Sequence, residues 1–193
     1  MKLTRIFTAS ILAAALVVAR AADTPKVGDK APAFEGKNED GKTVKLADFA
    51  GKQAVLLYFY PKDETPGCTK EACGLRDRLG ELKKANVEVV GVSFDSAESH
   101  QKFIASHNLG FTLLADIDGK IADAYGVCMA GKSMARRVSF LIGTNGKILH
   151  ITDSPKADDH LTEMAEAVAK LRWNQLWCFA CLVELPPAHQ FHG

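Results

Sequence analysis

Apolar positions along the chain fall into continuous runs and helical stripes. Ala54-Val55-Leu56-Leu57-Tyr58-Phe59-Tyr60 is unbroken and rich in strand-favouring residues, which predicts a strand covered on both faces at the centre of a sheet. Pro61 ends it and Thr65-Pro66-Gly67 turns the chain. From Cys68 to Ala85 the residues Cys68, Ala72, Leu75, Leu79 and Leu82 then fall at helical spacing. Val87 to Ser93 predicts a second strand, Ala97 to Ser106 a helix with Phe103 and Ile104 inward, Phe111 to Ala115 a short strand, and Asp116 to Tyr125 a further helix. Val138-Ser139-Phe140-Leu141-Ile142 and Ile148-Leu149-His150-Ile151 flank Thr144-Asn145-Gly146-Lys147, and Asn-Gly between two apolar runs predicts a hairpin. A second hairpin is predicted within Val27 to Lys45, around the Glu39-Asp40-Gly41-Lys42 turn. Leu161 to Leu171 reads as a closing amphipathic helix. Strands alternating with helices, then a hairpin and a helix, predict an α/β sandwich: a central mixed β-sheet flanked by helices on both faces.

The two ends differ from this pattern. Lys2 and Arg5, the apolar run Ile6 to Val18 and the small residues of Ala19-Arg20-Ala21 read as a secretory signal peptide over residues 1–21. The apolar run is shorter than the roughly 20 residues that a membrane anchor needs. The main domain is therefore expected over residues 22–172, exported and working where disulfides persist, in a bacterium the periplasm. At the other end, Trp173 to Gly193 holds both tryptophans, Cys178, Cys181 and the Pro186-Pro187 pair. It reads as an appendage, or as a shifted reading frame.

Composition narrows the partners. The 193 residues carry 24 Lys and Arg against 23 Asp and Glu, a formal net charge of +1, so no global field attracts nucleic acid or an anionic membrane. Five cysteines is an odd number, which leaves at least one outside any internal disulfide.

Cys68 is the residue with predicted chemistry. It falls in the first turn of a helix fed by a central strand, where unpaired backbone N–H groups and the helix dipole favour a thiolate, the nucleophilic form. A helix terminus contributes about 0.3–1 kcal/mol, whereas each tenfold change in ionisation takes about 1.4 kcal/mol. A cation is needed as well, and Arg137, entering the strand at Val138, is the candidate. The Thr65 hydroxyl can orient a bound peroxide oxygen.

These residues resemble a known family. Pro61, Thr65 and Cys68 match the Pro-x-x-x-Thr-x-x-Cys motif of peroxiredoxins, and Arg137 before Val138-Ser139-Phe140-Leu141-Ile142 matches their active-site arginine. Tyr58 to Asp77 looks like the bacterioferritin comigratory protein, or peroxiredoxin Q, branch. The resemblance covers about Val27 to Leu171. It implies a thioredoxin-like fold and a thiol peroxidase that reduces hydrogen peroxide and organic hydroperoxides, without a cofactor or metal. It further implies that Cys68 is the peroxidatic cysteine, Cys73 the resolving one, that Thr65 and Arg137 hold the peroxide, and that Pro61 shields the pocket. The implied reductant is thioredoxin, or an extracytoplasmic thioredoxin-like protein if the chain is exported, and the implied state a monomer or weak dimer.

Five residues along a helix separate two Cα atoms by about 8 Å and rotate them about 140° apart, beyond the roughly 7 Å limit of a disulfide. Cys73 can therefore reach Cys68 only if the helix unwinds locally. Gly67 and Gly74 flank the segment and weaken helical order.

Other readings compete. Cys68 and Cys73 can be inert buried thiols, and Arg137 a surface charge beside Arg136. Cys128 reads as a small apolar or loop residue, or a second resolving cysteine. Cys178-Phe179-Ala180-Cys181 near His189 and His192 invites a redox or zinc reading, but its spacing fits neither pattern. His100, His107, His150 and His160 show no ligand spacing and read as surface or satisfied residues, and no acidic pair stands out as catalytic. A thiol-disulfide oxidoreductase would carry Cys-x-x-Cys at the turn. A copper(I)-binding module would use the two thiols alone. Neither rival accounts for Thr65 and Arg137.

Overall fold

The computed structural model describes the backbone of residues 23–183 and the side chains of residues 23–171. The readings made for residues 1–21, Trp173, Cys178, Cys181, His189 and His192 lie outside these limits. Seven strands, β1 (Glu35–Asn38), β2 (Thr43–Lys45), β3 (Ala54–Phe59), β4 (Val87–Ser93), β5 (Thr112–Ala115), β6 (Val138–Ile142) and β7 (Ile148–Asp153), form one sheet in the order β2-β1-β5-β4-β3-β6-β7. The helices are α1 (Pro66–Asp77), α2 (Leu79–Lys84), α3 (Ala97–His107), α4 (Lys120–Ala124) and α5 (Ala157–Val183). The sheet is mixed: β3 pairs parallel with β4 and antiparallel with β6, and β1-β2 and β6-β7 are hairpins.

The continuous apolar run of β3 is buried at every position, because the two faces of the strand serve two cores. Leu56, Tyr58 and Tyr60 join Ala72 and Leu75 of α1, Leu82 of α2, Phe103 of α3, and Met164 and Val168 of α5. Val55, Leu57 and Phe59 face Ile121 and Ala122 of α4, with Tyr125, Val127 and Phe140. This central strand carries the loop that leads to Cys68.

Four details depart from the sequence expectations. The helix expected over Cys68 to Ala85 is two, broken at Arg78, whose backbone N–H bonds to the Leu75 carbonyl in a tighter turn and whose guanidinium donates to the Gly74 carbonyl at 3.2 Å. A short 3-10 turn at Leu46–Asp48 follows β2. The closing helix starts earlier than expected and runs longer, Ala157–Val183. Gly74 is more than a weak point in the helix: a Cβ there would lie 2.4 Å from Leu161 Cδ1 and 2.8 Å from Cδ2, so its missing side chain lets α1 pack directly on α5. Among the described residues, no helix is long and apolar enough to cross a membrane.

Candidate active site

Tyr60 follows β3, and the chain passes through Pro61 to Thr65 into α1. Thr65 is extended (φ −82°, ψ 146°) and precedes Pro66 at the first helical position, where the missing N–H costs nothing. Cys68 thus lies in the first turn, buried to 1% exposure. Thr65 makes its bonds locally: its hydroxyl donates to the Lys62 carbonyl at 3.0 Å, and its carbonyl accepts the Thr69 N–H at 2.8 Å.

Arg137 arrives from the neighbouring strand. The β3-β6 register pairs Phe59 with Val138, so the residue before Val138 lies where β3 hands over to the active-site loop. Its fork is used in three directions: Nη2–H donates to Cys68 Sγ at 3.2 Å, Nη1–H donates to Glu71 Oε2, and Nε–H donates to the Pro155 carbonyl at 3.3 Å. Gly67 makes room, since a Cβ there would lie 3.2 Å from Arg137 Nη2. Arg137 is therefore no surface charge. Arg136 points away and pairs with Asp153 at 2.5 Å.

Behind the arginine lies a buried polar group that sequence reasoning missed. Glu71 is 0% exposed, with Oε2 on Arg137 and Oε1 3.6 Å from His160 Nδ1. His160 Nε2–H donates to the Ser154 carbonyl at 2.8 Å, and its other nitrogen meets Ser139 Oγ at 2.7 Å. Burial pushes the Glu71 carboxyl up to about 7 against the opposing pull of Arg137. Burial also tends to remove the Arg137 charge, but Glu71 and then Cys68 outweigh it and hold the guanidinium above its usual value. Tyr58 stays a neutral phenol, raised first by burial and next by Glu71. The signal for Glu71 was its place three residues after Cys68, a charge on the stripe that also holds Ala72 and Leu75.

The Glu71 carboxyl predicts a pH dependence of stability. Its folded value is raised above the usual 4.5, so the folded state gains by holding this proton. That gain is complete below about 4.5 and is lost as pH rises through about 7, on the order of 3 kcal/mol at most. His160 acts oppositely: burial, then the Arg137 charge, hold it below 6.5 despite the Ser154 carbonyl, so its share grows as pH rises towards that value. Urea unfolding at pH 5.5 and pH 8 isolates Glu71 by difference. Wild type should lose more stability across this interval than Glu71→Gln, and equal losses would contradict the assignment.

The structure brings Cys68 and Arg137 together and leaves Thr65 and Pro61 in the loop ahead of them. Cys73 is half-buried and Cys68 fully buried. Both are free thiols in an intact α1, so the unwinding argument applies to the observed helix. Cys128 is exposed, bridged through Ala135 rather than placed in the site. Burial of its sulfur, then Asp123 and Asp116, push that thiol up. Among the described residues, no group of three His, Cys, Asp or Glu is placed to hold a metal ion.

The sheet and its flanking helices belong to the thioredoxin-like class, with a helix-borne thiol beside an arginine. Comparison with protein families matches residues 27–151 to the AhpC/TSA family. Peroxiredoxin Bcp of Escherichia coli (strain K12) is 47% identical over 141 residues, covering 70% of this chain and 90% of that protein. Peroxiredoxin Bcp of Bacillus subtilis (strain 168) is 41% identical over 151 residues, covering 75% and 96%. Among solved structures, peroxidoxin BcpB from Mycobacterium tuberculosis superimposes with a TM-score of 0.69 at 35% identity, covering 76% of this chain and 96% of that one. The chain belongs to the AhpC/TSA family, and its function is that of a thiol peroxidase.

Proposed function

We propose that this chain reduces hydrogen peroxide and organic hydroperoxides through Cys68, with Cys73 as the resolving cysteine. The observation that carries the reading is the Arg137 Nη2–H donated to Cys68 Sγ at 3.2 Å in the first turn of α1. The Arg137 guanidinium and the N-terminus of α1 both present positive charge to the sulfur. The thiolate attacks the terminal oxygen of the peroxide: a sulfur–oxygen bond forms, the oxygen–oxygen bond breaks, and the leaving oxygen takes a proton to become water or an alcohol. Arg137 faces the charge that develops on that oxygen. Thr65, whose own proton goes to Lys62, can accept the peroxide O–H, and Pro61 shields the pocket.

The Cys73 thiol then attacks the Cys68 sulfenic acid. A disulfide forms and water leaves, which keeps Cys68 off the irreversible steps of the oxidation ladder. Because intact α1 holds the two cysteines apart, this step includes unwinding of its first turns. A reductant dithiol exchanges with the disulfide and returns both thiols. Thioredoxin serves this role, or a thioredoxin-like protein outside the cytoplasm, since residues 1–21 read as an export signal into the periplasm. The working unit is a monomer or weak dimer.

Peroxide consumption by wild type and Cys73→Ser, each with thioredoxin and with dithiothreitol, tests the reading. Cys73→Ser should lose at least about tenfold with thioredoxin, for want of an internal disulfide to present, while a small thiol still resolves Cys68. Full thioredoxin-dependent turnover by Cys73→Ser would contradict the resolving role.

A further inference from the structure

The loop that carries Pro61 and Thr65 is fastened to α3. Asp63, midway along it, is 5% exposed. Its Oδ1 accepts the Tyr60 hydroxyl proton at 2.8 Å, and its Oδ2 accepts from Ser99 Oγ at 2.7 Å and lies 2.9 Å from His100 Nδ1. Across the ring, His100 Nε2 is 3.2 Å from the Leu114 carbonyl. His100 itself is 0% exposed.

Both ring nitrogens therefore face acceptors. Nδ1–H donated to Asp63 Oδ2 fastens the buried carboxylate to α3. The Asp63 carboxyl agrees: burial alone would raise it, yet the bonds from His100, Ser99 and Tyr60 hold it below its usual range.

Neighbouring contacts tighten the same loop. The Asp63 N–H donates to Asp95 Oδ2 at 2.9 Å, and Ser93 Oγ–H donates to the same oxygen at 2.8 Å. Glu64 adopts a left-handed φ of 58°, uncommon for a residue with a side chain and kept only where the surroundings enforce it. Its Oε2 lies 2.9 Å from His107 Nε2 in the last turn of α3. His100 and His107 are two turns apart on one face of that helix, and they grip consecutive carboxylates immediately before Thr65.

We propose that His100 is a positioning residue for peroxide reduction. The buried Asp63–His100 hydrogen bond holds residues 61–65 in place independently of α1. Pro61 and Thr65 then keep their positions while the first turns of α1 unwind for Cys73 and rewind for the next peroxide. This inference rests on the Cys68 and Cys73 roles proposed above. Removing the ring leaves the buried Asp63 carboxylate short of a donor, and a misplacement of about 1 Å near reacting atoms can cost about a hundredfold in rate.

The test uses the full chain and reads two steps separately by rapid quenching and mass spectrometry: oxidation of Cys68 by hydrogen peroxide, and formation of the Cys68–Cys73 disulfide. In His100→Leu the first should slow about tenfold to a hundredfold, while the second stays at the wild-type rate. His100→Asn places an amide nitrogen where Nδ1 was and should recover most of the first rate. His100→Gln places it where Nε2 was and should not. Wild-type oxidation rates in His100→Leu, or equal rates in the Asn and Gln variants, would overturn the proposal. Should His100→Leu not fold, the Asn and Gln pair decides. Failure of peroxide to oxidise Cys68 in wild type would instead overturn the peroxidase roles on which the inference rests.

Discussion

Cys68→Ser should consume no hydrogen peroxide above the background of the reductant alone, a loss on the order of a thousandfold or more. A hydroxyl in the same place lacks the accessible anion that makes a thiol nucleophilic at neutral pH. The substitution keeps the size of a side chain buried to 1% exposure, so the fold should survive, and circular dichroism and a thermal melt check this. Among the described residues, the other two thiols do not substitute. Cys73 is half-buried further along α1, and Cys128 is exposed, its sulfur pushed away from the thiolate form. Peroxide consumption in a coupled assay, with Cys68→Ser beside wild type, makes the measurement. Persistent turnover would mean that the reacting sulfur lies elsewhere.

Arg137→Met should lower the rate of peroxide reduction by about a hundredfold to a thousandfold, the range seen when one donor to a developing negative charge is removed. The arginine serves two groups, and the experiment must separate them. Without it the Glu71 carboxyl is buried with no cation opposite, so Arg137→Met alone should also destabilise the protein by about 3–5 kcal/mol, less by whatever the carboxyl recovers through taking up a proton. The double variant Arg137→Met with Glu71→Gln removes both charges and should regain much of that stability. It should not regain the rate, because nothing then faces Cys68 Sγ. Arg137→Lys should fall between, since a lysine is a single point charge and cannot serve Cys68, Glu71 and the Pro155 carbonyl together. If the double variant recovered wild-type turnover, the arginine would be a structural counter-ion to Glu71 and no part of the chemistry.

Much of the architecture was legible because it depends on local pattern. The unbroken run Ala54 to Tyr60 reads as a strand covered on both faces, and two cores divide its side chains. Asn145-Gly146 marked the last hairpin, and Gly146 takes the left-handed φ of 74° that the turn requires. Cys68 and Arg137 were legible as a pair through helix electrostatics and the match to a family motif, and the β3-β6 register explains how residues 69 positions apart close to one hydrogen bond.

What escaped depends on partners distant in sequence. Glu71 looks like an ordinary helix-surface carboxylate until Arg137 and His160 are brought to it. Asp63 and His100 are 37 positions apart, and neither stands in a pattern that marks burial. The histidines read as surface or satisfied residues, and His100 and His160 are of the satisfied kind, buried and hydrogen-bonded to partners that no local pattern names. The break at Arg78 was hidden because Leu75, Leu79 and Leu82 continue the helical spacing across it. Gly74 was read through its flexibility, whereas Leu161 shows that its lack of a side chain also sets the approach of α1 to α5.

The most direct test of the account is peptide mapping of the reduced protein after one equivalent of hydrogen peroxide. The account predicts a disulfide joining the Cys68 and Cys73 peptides, with Cys128 still a free thiol, and in Cys73→Ser a sulfenic acid trapped at Cys68. Oxidation appearing first at Cys73 or Cys128, with Cys68 still reduced, would contradict it.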